Sequence, residues 1–135
     1  MMSFSALAAV AIGGAAGSVL RYWLAHQVNL VMGVGGFAWG TFSVNAIGGF
    51  AIGFALIALQ EWLHADPVWR LLLVIGFLGG FTTFSSFSWD TYTLWINGKQ
   101  GLAGLNVLAN VAFSLVGTAL GVWLARVWLV NSGAA

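Results

Sequence analysis

The stretch from Gly76 to Ser88, GFLGGFTTFSSFS, interrupts a strongly apolar run with glycines, hydroxyl side chains and phenylalanines. Backbone N–H and C=O groups without partners cost several kcal/mol each in hydrocarbon, so non-helical backbone at membrane depth persists only inside protein or along a water-filled path. The stretch therefore predicts a membrane helix that is broken beside a polar conduit.

The composition is that of an integral membrane protein. The 135 residues are 61% hydrophobic and 5% charged, with a mean hydropathy of +0.97, whereas soluble domains carry about 25% charged residues. At about 20 residues per spanning helix, the chain has room for four helices and short connections. We expect an all-α fold that forms a single transmembrane domain over residues 1–135.

Several classes of function are excluded by the composition. The net charge is +1 and the sequence contains no basic run, which argues against nucleic acid as a partner because phosphate neutralisation needs clustered Lys or Arg. The chain has no cysteine, so disulfides and thiolate chemistry are excluded. Neither His26 nor His64 has a neighbouring nucleophile and base pattern. We predict that the protein is not an enzyme.

Four apolar segments are predicted to span the membrane, at about 4–25, 39–59, 68–96 and 102–130. The third is too long for one straight crossing and is interpreted as two half-helices joined near 79–83. Asp66 is placed to cap this segment, with Pro67 at its first helical position. The prediction is therefore four transmembrane helices with a break in the third.

Each segment also contains two glycines four residues apart. Such pairs allow helix backbones to approach closely in a membrane, where apolar burial does not drive helices together. They predict a compact bundle and are the following: Gly13 with Gly17, Gly49 with Gly53, Gly76 with Gly80, and Gly117 with Gly121.

The basic residues are divided equally between the two predicted sides of the membrane. Four crossings place Arg70 and Arg126 on one side, and Arg21 and Lys99 on the other. This is a tie under the rule that basic loops stay cytoplasmic. The chain could therefore insert in both orientations and form antiparallel pairs, although with four charges a tie also arises easily by chance.

Five polar residues lie in or near the apolar segments, namely Arg21, Asn45, Asp90, Asn106 and Asn110. A charge at bilayer depth costs at least about 2.5 kcal/mol, so such residues generally face protein or water. Arg21, about a turn from the end of its segment, either snorkels to the interface or lies in a vestibule that attracts anions. Asp90 is placed where the third segment reaches the opposite interface.

The break combines groups that suit a small anion and a cation. Phe84 and Phe87 fall on one helical face, beside hydroxyls of Ser85 and Ser88. Aromatic ring edges are partly positive, so they and nearby donors can replace part of an anion's hydration shell. Unwound carbonyls can coordinate Na⁺, and two copies across a two-fold axis would supply enough oxygens to enclose it.

These features resemble those of the Fluc (CrcB) fluoride channels. The similar stretches are distributed over the whole chain, and the one in the third segment is highly specific. They are GSVLR at 17–21, GTFSVN at 40–45, GFLGGFTTFSSFS at 76–88 and GTALG at 117–121.

The resemblance implies a dual-topology homodimer of four-helix subunits in the bacterial inner membrane. It implies two antiparallel pores for passive, selective export of fluoride, and a structural Na⁺ at the dimer centre. Neutral HF crosses membranes and ionises in the near-neutral cell, so the trapped anion is toxic unless a selective path lets it leave.

The resemblance also implies residue roles in the pore. Phe84 and Phe87 are expected to line it, and Asn45 to donate a hydrogen bond to the anion. Hydroxyls along the ion track are expected from Ser85, Ser88 and Thr118.

Further roles are implied outside the pore lining. The backbone carbonyls of Gly79 and Thr82 are expected to bind Na⁺, and Arg21 is expected near a pore entrance. Asp90 stands where we expect a glutamate from the family pattern, which is a departure from that pattern.

Two other functions remain as alternatives. A small multidrug-resistance-type, proton-coupled exporter is similar in size and is also a dual-topology dimer, but it depends on a glutamate in the first helix, and no acidic residue precedes Glu61. A structural subunit of a membrane complex would explain the glycine pairs but not the hydroxyls and phenylalanines at a break.

Overall fold

The computed structural model describes residues 3–62 and 66–131, which are helical over nearly their whole length. The α-helices are α1 Phe4–Met32, α2 Trp39–Ile57, α3 Pro67–Trp69, α4 Gly79–Phe81, α5 Phe84–Ile96 and α6 Gln100–Asn131. Two π-helical segments complete the spans: Ala58–Trp62 continues α2, and Arg70–Leu78 joins α3 to α4.

The described residues contain four helical stretches long and apolar enough to cross a membrane. They are Phe4–Met32, Trp39–Glu61, Pro67–Ile96 and Gln100–Trp128. Large apolar side chains such as Phe4, Val31 and Leu108 are exposed, as expected of a surface that contacts lipid. The prediction of an all-α, multi-pass membrane protein with four spans is confirmed.

The first helix extends beyond its predicted end near residue 25 and continues to Met32. His26 and Gln27 lower the hydropathy of this region, but they do not break a helix. Gly33 ends it, because its φ of +82° leaves the helical region, and its N–H donates to the carbonyl of Asn29 at 3.0 Å. Hydropathy locates the apolar part of a helix, whereas the cap determines where the helix ends.

The third span begins at the predicted cap. Oδ1 of Asp66 accepts the N–H of Val68 at 2.9 Å, and Pro67 occupies the first helical position, where a missing N–H leaves no donor without a partner. A side-chain oxygen at this position stabilises a helix by about 1 kcal/mol. The predicted start of this span is confirmed.

The spans pack in two close pairs, α1 against the first half of the third span and α2 against α6. Glycines permit both contacts: a Cβ at Gly13 would collide with the carbonyl oxygen of Leu72, and one at Gly53 with that of Thr118. The predicted glycine pairs all lie in these contacts. Gly13, Gly17, Gly76 and Gly80 lie in the first, and Gly49, Gly53, Gly117 and Gly121 in the second.

Polar contacts mark the two ends of the bundle. Arg126 donates to Oε1 of Glu61 at 3.2 Å, joining α6 to the end of the second span. At the other end, Nζ of Lys99 donates to the carbonyl of Gly35, joining the loop before α6 to the loop after α1.

The backbone at Thr82 and Thr83 is extended rather than helical. The φ and ψ angles are −79° and 157° at Thr82, and −151° and 117° at Thr83. The two residues lie between the end of α4 at Phe81 and the start of α5 at Phe84. Oγ1 of Thr83 accepts the N–H of Ser86 at 3.2 Å and so caps α5. Both threonines lie within the stretch 79–83.

Candidate functional site

The side chain of Asn45 on α2 bonds to both polar groups of the Thr83 backbone. Its Oδ1 accepts the N–H of Thr83 at 2.9 Å, and its Nδ2 donates to the carbonyl of Thr83 at 3.1 Å. Nδ2 also donates to Oδ1 of Asn110 at 3.0 Å. Both amide hydrogens of Asn45 are therefore engaged, and the residue holds the extended backbone in place.

A chain of amides continues from Asn45 into α6 and back to α5. Nδ2 of Asn110 donates to Oδ1 of Asn106 at 3.0 Å, and Nδ2 of Asn106 donates to Oγ1 of Thr91 at 2.8 Å. Thr91 in turn donates to the carbonyl of Phe87 at 2.8 Å. Asn106 and Asn110 are buried. The network ties α2, α5 and α6 together behind the extended residues.

The sequence predicts a pore role for Asn45 but does not predict its contact with α6. Asn106 and Asn110 are polar residues in an apolar segment, and their spacing of four places them on one helical face. That spacing was the available signal. It does not reveal that the face meets Asn45, because the rotation of α6 against α2 is set by packing.

The carbonyls of Gly79 and Thr82 lose the partners that a continuous helix would give them. The N–H of Thr83, which would bond to the Gly79 carbonyl, donates instead to Asn45. The N–H of Ser86, which would bond to the Thr82 carbonyl, donates instead to Oγ1 of Thr83. Both residues line an apolar groove. Oxygens of this kind fit a hard cation such as Na⁺.

The groove has a volume of about 610 Å³ and is formed by α2, the third span and α6. Phe84 and Phe87 both line it, with ring centroids 5.3 Å apart and ring planes at 56°. Phe87 is 8% exposed, whereas Phe84 is 80% exposed. The structure thus brings the two predicted aromatics together beside Asn45, Gly79 and Thr82 and leaves one ring uncovered.

The predicted hydroxyl residues do not form one row. Oγ of Ser85 lies 3.2 Å from Oγ1 of Thr83, and Ser88 donates to the carbonyl of Phe84 at 2.9 Å. Neither serine is among the groove-lining residues. Thr118 lies between α6 and α2 and donates to the carbonyls of Gly49 and Ser114 at 2.9 and 3.0 Å. It bonds two helices together and is not among the groove-lining residues.

Arg21 and Asp90 are not among the residues that line the groove. Arg21 is half-buried and lines a cavity of about 410 Å³ that also includes Thr83. Asp90 is half-buried too, and its Oδ2 accepts a hydrogen bond from Oγ1 of Thr41 at 2.6 Å. The carboxylate therefore contacts α2 inside the bundle.

Comparison with known proteins identifies the family. The family described as CrcB-like protein, Camphor Resistance (CrcB), matches residues 8–122. The chain belongs to the CrcB-like family. The CrcB-like match includes Arg21, Asn45 and the whole third span, so it covers every residue of the groove described above.

Curated CrcB-like relatives are similar over almost their full length. A protein of Geobacter sulfurreducens named fluoride-specific ion channel FluC is 49% identical over 118 residues, which is 87% of this chain and 94% of that protein. A protein of the same name from Hydrogenovibrio crunogenus is 41% identical over 93% of this chain and 96% of its own length. The predicted resemblance to this family is confirmed.

Proposed function

We propose that this protein is a fluoride channel, a passive and selective path that exports F⁻ across the cytoplasmic membrane and relieves fluoride toxicity. The observation that carries the proposal is the groove in which Phe84 and Phe87 meet the extended backbone of a CrcB-like chain. Its relatives are named as fluoride-specific ion channels. The protein is accordingly a channel and not an enzyme, and it resides in the bacterial inner membrane.

The active unit is an antiparallel homodimer with two pores. The exposed ring of Phe84 and the groove beside it support this arrangement, because a second copy would cover both. The equal division of basic residues between the two ends of the bundle supports insertion in both orientations. A two-fold axis in the membrane plane then brings two copies of the broken third span together.

The pore is formed by the groups around the aromatic pair. The ring edges of Phe84 and Phe87 and the hydroxyls of Ser85 and Ser88 replace part of the hydration shell of the anion. Asn45 contributes a donor when one of its amide hydrogens leaves Thr83 or Asn110. Thr118 is retained as a track hydroxyl, although its present partners are backbone carbonyls.

Backbone carbonyls of the two copies would form a Na⁺ site between them. The carbonyl oxygens of Gly79 and Thr82 from two copies would hold the ion, and their lack of helical partners supports this assignment. Bound there, Na⁺ supplies ion–dipole attraction that joins the two subunits. The residues of this chain then keep the two carbonyls free of N–H partners through Asn45 and Thr83.

A comparison of anion efflux tests the function. Liposomes that contain the purified protein are loaded with potassium fluoride or potassium chloride, valinomycin is added so that K⁺ leaves with the anion, and release of each anion is followed with an ion-selective electrode. We expect rapid fluoride release and chloride release close to that of protein-free liposomes. Equal release of both anions would contradict a selective channel, and fluoride release that depends on a proton gradient would favour a coupled exporter.

Labelling from one side of the membrane tests the orientation. The chain has no cysteine, so Asn97→Cys places one thiol in the loop between α5 and α6. Antiparallel dimers predict that a membrane-impermeant maleimide applied outside spheroplasts labels about half of the chains. Labelling of all chains or of none would contradict dual topology.

A further inference from the structure

The cavity next to Arg21 leads from the end of α1 to the extended backbone. Its volume is about 410 Å³, and its wall includes Arg21 and His26 from α1, Thr41 from α2, and Thr83 and Ser86 at the start of α5. Thr83 also lines the groove with Phe84 and Phe87. Thr83 therefore borders both spaces, and of the two only this cavity has a charged side chain among its lining residues.

The wall of this cavity is basic. Of the side chains that line it, Arg21 and His26 can carry positive charge, and none is a carboxylate. Asp90 on α5 accepts a hydrogen bond from Thr41, which is part of this wall. Lys99 lies in the loop before α6 and bonds to Gly35. A second positive charge at His26 would thus add to that of Arg21 without a carboxylate in the same wall.

His26 lies in the last two turns of α1, among the residues that line the cavity. The 29 residues of α1 span about 43 Å at the helical rise, whereas the hydrocarbon core is about 30 Å thick, so the last turns of α1 extend into the headgroup layer or beyond. The His26 side chain is exposed, and its ring stacks on Tyr22 with centroids 6.3 Å apart and planes at 8°. Both stacked residues line the cavity.

We infer that His26 is a second charge-bearing residue of the pore entrance, so that its protonation attracts fluoride to this opening and speeds conduction when the adjacent water is acidic. Histidine is the side chain whose charge ordinarily changes between about pH 5 and pH 8. The inference rests on the proposed fluoride channel. In an antiparallel dimer one such entrance faces each side, so acid on one side acts on one of the two pores.

Fluoride current through planar bilayers tests this inference, because an electrical measurement does not register neutral HF. Wild-type protein, His26→Gln and His26→Lys are compared at pH 5.5 and pH 7.5 on both sides, at about 0.01 M ionic strength. We expect the wild-type current to rise about twofold at the lower pH. This is the effect that a unit charge roughly 8 Å from the fluoride ion would have in water. His26→Gln should show no rise, and His26→Lys should show the same current at both pH values.

Two controls separate an electrostatic role from a structural one. At about 1 M ionic strength, set with sodium gluconate, the Debye length falls to about 3 Å, and the wild-type pH effect should disappear. His64→Gln, which changes the other histidine of the chain, should keep it. A pH effect that persists in His26→Gln or at high salt overturns the inference alone. The absence of any wild-type fluoride current at either pH overturns the proposed function as well.

Discussion

The side-chain amide of Asn45 pairs with Thr83 as a neighbouring peptide group would, accepting its N–H at 2.9 Å and donating to its carbonyl at 3.1 Å. These two residues are 38 positions apart in the chain. In a membrane the backbone of a non-helical residue must find partners within the protein. Asn45 supplies both partners, and this explains how an extended residue is stable inside an apolar span.

Replacing this amide should destabilise the fold. Asn45→Ala leaves the N–H of Thr83 without its side-chain acceptor, and an unsatisfied buried polar group costs about 1–3 kcal/mol. We expect a clear fall in the thermal unfolding midpoint of the protein in detergent. Ser88→Ala is the matched control, because it removes a single bond to the Phe84 carbonyl at an exposed position. Equal midpoints for the two variants would show that Asn45 does not stabilise the extended backbone at Thr83.

The aromatic pair should control fluoride throughput. Phe84→Ile and Phe87→Ile each remove a ring edge and should slow fluoride efflux from liposomes by about tenfold, equivalent to about 1.4 kcal/mol in the barrier. Phe113→Ile is the control, since Phe113 is also exposed and contacts Phe42 on α2 rather than the groove. Dimer formation is checked by size-exclusion chromatography. Unchanged efflux in both pore variants would remove these rings from the path.

The contact between α2 and α6 should tolerate no side chain at Gly53. A Cβ there would collide with the carbonyl oxygen of Thr118, and overpacking of a close contact costs about 1–3 kcal/mol. We expect Gly53→Ala to lower the thermal midpoint. Gly104→Ala on α6 meets no atom within 4 Å and should raise it slightly, because alanine is favoured over glycine in a helix by up to about 1 kcal/mol.

Replacing Thr118 distinguishes a role of its hydroxyl in the pore from a role in bonding α6 to α2. Thr118→Val keeps the size of the side chain but loses the donor to Gly49, a bond worth about 0.5–1.5 kcal/mol. Because the hydroxyl already donates to backbone carbonyls, we expect lower thermal stability with fluoride efflux per dimer maintained. A large loss of efflux at unchanged stability would instead support the predicted track role.

Removal of Na⁺ should weaken the dimer. An ion that binds only the assembled protein raises its thermal midpoint as the ion concentration rises. Exchange of Na⁺ for N-methyl-D-glucamine during purification should therefore lower the midpoint and the dimer fraction, and restoring Na⁺ should reverse both. A midpoint independent of Na⁺ over the whole concentration range would contradict coordination by Gly79 and Thr82.

Local features of the chain were sufficient to predict part of this structure. Apolar length predicted the four spans, and the adjacent residues Asp66 and Pro67 predicted where the third begins. Apolar length predicts that α1 ends near residue 25, which is too early because hydropathy falls before the helix ends at Gly33. The pairing of Asn45 with Thr83 and Asn110 depends on how whole helices rotate against each other, and no local pattern in the sequence encodes that rotation.

The carbonyls of Gly79 and Thr82, which lack helical N–H partners, have a consequence for assembly in the membrane. A newly inserted chain without a partner subunit would present these oxygens to lipid acyl chains, and their desolvation is unfavourable in hydrocarbon. In the proposed dimer, the drive to associate would then come in part from main-chain oxygens. If the partner subunit must have the opposite orientation, the amount of dimer is limited by whichever orientation is inserted less often. Any loop charge that favours one orientation would then lower the amount of dimer.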